Sequence, residues 1–146
     1  MTFPAQSSDV LAEYNHFPHL VINKPQESLS GGSRRIYLEF SLGSLKEVWV
    51  AVLNITGSLS SWSFADNILP APEKTGNGPP SYICRLSGAG DKNWTFWLEA
   101  SSSGAIRVDV AVVDQYLTVS AAKLKGLFPD WMDVTAFSSF MSTYVL

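Results

Sequence analysis

The sequence predicts a mainly β protein: an antiparallel β-sandwich of about six to eight strands, with one short helix near the C-terminus. Three observations point to this. Apolar and polar residues alternate over several stretches of strand length. Clusters of Gly, Pro, Ser and Asp separate those stretches. After Asp114 the period changes from two to helical spacing.

The elements follow in order. Residues 1–32 lack a period, and residues 25–33 (PQESLSGGS) have linker composition. They read as an N-terminal arm or linker, with Leu20, Val21 and Ile22 adding a short edge strand. Residues 33–146 read as the sandwich domain. Ile36, Leu38, Phe40 and Leu42 point one way and Tyr37, Glu39 and Ser41 the other, the mark of a half-buried strand. After a turn at 43–46, residues 48–55 are apolar on both faces, as in a central strand. A short strand carries Trp62 and Phe64. Residues 70–80 (PAPEKTGNGPP) then make an exposed loop.

Tyr82, Cys84 and Leu86 share one face of the next strand, which a turn at 88–91 ends. Trp94, Phe96 and Leu98 then form a core face, with Thr95, Trp97 and Glu99 opposite. Residues 101–104 turn the chain. Ile106, Val108, Val110 and Val112 alternate with Arg107, Asp109 and Ala111. Leu117, Ala121 and Leu124 recur at helical spacing, and Lys123, Lys125, Gly126 and Pro129 supply the stop signals. The tail from 135 to 145 reads as a final strand.

Composition narrows the function classes. The chain has 146 residues, 46% hydrophobic and 16% charged, which fits one domain with a substantial core. A net charge of −3 argues against a nucleic-acid partner. The single Cys excludes an internal disulfide framework. The first basic residue is Lys24 and residues 1–8 (MTFPAQSS) contain no apolar run, so the basic region followed by an apolar run that a secretory signal requires is not seen. No run approaches the length of a membrane span. Taken alone, the chain reads as soluble and cytosolic if Met1 is a genuine start.

No catalytic or metal site is expected, and no cofactor. His16 and His19 form an H-x-x-H pair with Asp9 and Glu13 upstream. However, Pro18 between them disfavours a helix that would bring both imidazoles to one face. Cys84 reads as a small core hydrophobe, because no base accompanies it. The glycines form no phosphate-binding motif and the serines no nucleophile elbow. Two N-x-[ST] sequons make Asn54 and Asn93 glycosylation candidates, with Asn93 at a turn-to-strand boundary and Asn54 just after a strand. Trp97, opposite the core face, is the candidate surface-recognition aromatic, unless the helix or the arm covers it.

Several segments carry a family resemblance. Trp62-Ser63-Phe64-Ala65-Asp66 with Leu69-Pro70, the preceding Val52-Leu53-Asn54-Ile55-Thr56-Gly57, the later Trp94-Thr95-Phe96-Trp97-Leu98-Glu99 and the terminal Phe128-Pro129-Asp130-Trp131 occur in that order and spacing. Together they resemble the C-terminal domain of the endoplasmic reticulum metallopeptidases, and the wording is most like a plant member. The resemblance covers roughly residues 9–146. It implies a parent protein with a zinc aminopeptidase-related domain, then transmembrane helices, then this region on the lumenal side. The zinc ligands of that family belong to the upstream domain, and no position here matches their pattern. No catalytic residue is carried over.

Three functional readings result. The first is a non-catalytic accessory domain in the endoplasmic reticulum lumen, whose partners are the peptidase and transmembrane parts or protein substrates. The second is a glycan-binding module using exposed aromatics around Trp97. The third is a free-standing cytosolic interaction protein.

Overall fold

Alternation of the kind just described buries one face of each strand, and the chain satisfies this with two four-stranded antiparallel sheets packed face to face. The computed structural model describes residues 18–41, 49–74, 76–88, 92–114, 119–135 and 138–146. The strands are β1 (His19–Ser28), β2 (Arg34–Ser41), β3 (Trp49–Thr56), β4 (Leu59–Trp62), β5 (Ser81–Gly88), β6 (Trp94–Ala100), β7 (Arg107–Asp114) and β8 (Ser138–Val145). A helix, α1 (Val119–Gly126), lies between β7 and β8. The first sheet has the order β1-β2-β6-β4 and the second β5-β3-β7-β8. The sandwich and the helix near the C-terminus are therefore as the sequence predicts.

The core lies between the sheets. Ile36, Leu38 and Phe40 of β2 with Phe96 and Leu98 of β6 face Leu53 and Ile55 of β3, Val108 and Val110 of β7, and Tyr82 and Leu86 of β5. Each set comes from positions two apart, so the period-2 pattern alone assigns the buried face. Leu146 closes the end: its N–H and C=O both pair with Ile106, at 2.8 and 3.0 Å.

Three expectations are corrected. The edge strand expected at 20–22 extends over ten residues and includes part of the linker-like stretch. Register shifts against β2 fall between Ile22 and Lys24 and between Lys24 and Glu27. Pro25, which has no N–H, lies within the second of these and is tolerated because β1 is an edge. Ser30–Gly32 then forms the reversal into β2, with Gly31 and Gly32 at φ of 78° and 79°, a conformation glycine adopts without penalty.

Trp94, expected in the core, is 38% exposed. It is the first residue of β6, so the facing sheet does not cover it as it covers Phe96. Asn54 lies inside β3, between Ile83 of β5 and Asp109 of β7, which agrees with the central strand expected at 48–55 and corrects the placement of the sequon just after a strand. The helix also buries little: residues 122–132 are exposed throughout, with Leu127 and Trp131 each at 81%. Leu117, Leu42, the turn at 43–46 and part of the turn at 88–91 lie outside the described residues.

Candidate functional site

The outer face of the first sheet is built by the polar half of the β2 and β6 alternation. Tyr37 and Trp97 sit directly opposite each other, as do Arg35 and Glu99 one step along. Arg35 Nη2 donates to Glu99 Oε2 at 3.0 Å, and its guanidinium carbon lies 4.3 Å from the centre of the Trp97 ring. That distance is within cation–π range. Glu99 also accepts from Ser60 Oγ at 3.0 Å. Its hydrogen bond, followed by that of Tyr37, pushes the Arg35 pKa up, so the guanidinium stays charged. Lys24 Nζ approaches the Tyr37 ring at 5.2 Å, and the Tyr37 hydroxyl donates to Glu27 at 2.9 Å.

Trp97 is thus half-buried in a ridge of alternating charge and aromatic surface. Among the described residues, the group lying over its ring is the Arg35 guanidinium. A sugar stacking on that ring face would have to displace a guanidinium fixed by Glu99.

The two sequons occupy different settings. Asn93 is exposed just before β6, and its Nδ2 donates to Glu39 Oε1 at 3.1 Å. Asn54 is half-buried on the outer face of the second sheet, and its Oδ1 is buried without a hydrogen-bond partner. Asn93 is the more accessible acceptor.

Cys84 faces the core from β5, and burial pushes its thiol pKa up to about 11. A thiol held protonated in this way is a poor nucleophile. His19 is exposed at the start of β1, while His16, Asp9 and Glu13 lie outside the described residues. Among the described residues, no three His, Cys, Asp or Glu side chains come together as a metal would require. The described donors do not fit a zinc site. Among those residues, too, no helix is long and apolar enough to cross a membrane.

A second surface was not anticipated from the sequence. Along the side of the sandwich where β4 and β5 form the sheet edges, an open groove of about 780 Å³ is lined by Trp62, Phe64, Leu69, Cys84, Leu86 and Trp94, among others. Aromatic packing sets its wall. Trp62 meets Phe64 edge-on at 5.4 Å, and Phe64 lies 5.0 Å from Phe96. The Trp62 indole N–H donates to the carbonyl of Ile68 at 2.9 Å and holds the returning chain against the strand. Between them, Ala65, Asp66 and Asn67 have φ of 46°, 56° and 64°. Asp and Asn tolerate that left-handed region; Ala does so at a cost. The Asp-Asn pair was the available signal for this bend.

The segments that build the groove and the ridge, Trp62 to Pro70 and Trp94 to Glu99, are also those that carry the resemblance noted in the sequence. Neither the curated proteins nor the solved structures give a match to the chain. The family model described as "Endoplasmic reticulum metallopeptidase 1, C-terminal domain" matches residues 2–144, all but the first residue and the last two. The chain therefore belongs to the family of endoplasmic reticulum metallopeptidase C-terminal domains.

Proposed function

We propose that this chain is a non-catalytic accessory domain of a membrane-bound zinc metallopeptidase, lying on the lumenal side of the endoplasmic reticulum membrane and serving a structural or interaction role. The observation that supports it is the extent of the family match: the C-terminal domain model spans residues 2–144, which is consistent with an accessory part whose peptidase chemistry lies elsewhere in the parent. The sandwich suits that role. Its described polar groups form surface ridges, while its thiol is buried and protonated.

The test has two arms. The purified 146-residue chain is assayed for bound zinc and for aminopeptidase turnover, and neither is expected; stoichiometric zinc with turnover would overturn the reading. An antibody to the domain is then used on native membranes. A membrane-bound band much larger than 16.0 kDa that shifts on glycan removal supports the lumenal placement and strengthens Asn54 and Asn93 as glycosylation candidates. A soluble band near that mass, unmoved by deglycosylation, favours a free-standing protein instead.

A further inference from the structure

We infer that the free edge of β5 is a docking site for an extended segment of another polypeptide, which adds to the second sheet as a further strand with an acidic residue opposite Arg85. β5 pairs with β3 on one side only. Its other side is engaged at one position: the N–H and C=O of Ser81 both pair with Glu73, at 3.0 and 2.8 Å. That bridge is isolated, and among the described residues the pairing does not continue to Ile83. In an antiparallel strand, alternate residues turn their backbone groups to the same side. Ile83, Arg85 and Ser87 therefore present their N–H and C=O groups outward in series, and among the described residues no chain meets them.

A row of donors and acceptors at two-residue spacing is matched by extended backbone, the chemistry of β-augmentation. Side-chain directions specify the rest. Ile83, Arg85 and Ser87 are exposed on the outer face, while Tyr82, Cys84 and Leu86 point inward. An incoming residue opposite Arg85 lies beside its guanidinium. Those on either side of it point into the groove against Trp62, Phe64, Leu69 and Trp94. The recognised pattern is apolar–acidic–apolar.

Charge decides the occupant. Arg85 has no ionic partner among the described residues. A second copy pairing antiparallel through the same three positions would set Arg85 against Arg85, which is destabilising. A partner strand bearing a carboxylate supplies the missing complement.

The proposal deepens the accessory reading and rests on it, yet the two fail separately. Zinc-dependent turnover by the purified chain would sink the accessory reading. The edge is tested with the isotope-labelled 146-residue chain and two blocked pentapeptides, Thr-Val-Glu-Val-Thr and Thr-Val-Lys-Val-Thr. The glutamate peptide is expected to slow amide exchange at Ile83, Arg85 and Ser87 and to bind about tenfold tighter than the lysine peptide. Arg85→Glu should reverse that order. Ile83→Pro, which removes only an outward N–H, should abolish protection with the circular dichroism spectrum retained. Equal effects of the two peptides, or no protection by either, would overturn the proposal. So would a dimer in sedimentation that Ile83→Pro dissolves, since that would make the occupant a second copy.

Discussion

At Cys84 the thiol is enclosed by the inter-sheet core, and its reactivity follows from that placement. With a pKa of about 11, raised by burial, the thiolate is present at on the order of one part in ten thousand near neutral pH. The sign of the linkage follows. The folded state holds this proton more tightly than the unfolded chain, so its contribution to stability is complete below a pH of about 9. It is lost as pH rises toward about 11. Urea unfolding across that window should show Cys84→Ala losing stability less steeply than the natural chain; equal slopes would contradict the assignment. Asn54 gives a second residue-scale prediction. Its buried Oδ1 lacks a partner inside a central strand, where β-branched residues fit well. In unglycosylated protein, Asn54→Val should raise the unfolding free energy by about 1 kcal/mol, read from the urea midpoint at constant slope.

Two glycine-region contacts at the scale of elements show how the β3–β4 connection and the groove wall are set. Gly57 follows β3 with φ of 149° and donates its N–H to the carbonyl of Pro80 at 3.0 Å. A Cβ there would lie 2.9 Å from Ile106 Cδ1 and 3.4 Å from the carbonyl of Ala105. Gly57→Ala should therefore destabilise by roughly 1–3 kcal/mol, from strained backbone and crowding together. The bend at 65–67 predicts the reverse. Ala65 occupies the left-handed region at φ of 46°. Ala65→Gly should stabilise by roughly 0.5–1 kcal/mol, because relief of the steric penalty outweighs the added freedom of the unfolded chain. Thermal melts of the two variants should move in opposite directions. Both falling would mean that Ala65 makes packing contacts worth more than the relief.

Over the whole molecule, the parts legible in sequence are those whose two faces differ. β2, β5, β6 and β7 each separate a buried from a more exposed face, and alternation assigned the outward turn of Trp97 and the core positions within these strands other than Trp94 at the start of β6. β1 was harder to read because an edge strand exposed along most of its length needs no alternation, and Pro25 mimics a linker. The groove was not legible, since it forms where β4, β5 and the start of β6 converge, and no local pattern records the meeting of two sheet edges. The helix was legible as a period but not as a packing element, and this yields the last prediction. Residues 122–132 are exposed, while β8 beyond them is held by pairing with β7 along its whole length and by the Leu146–Ile106 pair. The excursion should therefore open locally at far lower free energy than the sandwich. Trypsin under native conditions should cut after Lys123 or Lys125 well before it cuts after Arg85 or Arg107, which lie in the paired strands of the second sheet. The nicked chain should keep its β-sheet circular dichroism and elute as one species, its two pieces separating only in denaturant. Resistance at both lysines would show that Leu127, Phe128 and Trp131 pack against a surface. Loss of the sheet signal on nicking would show that β8 depends on the helix for its place.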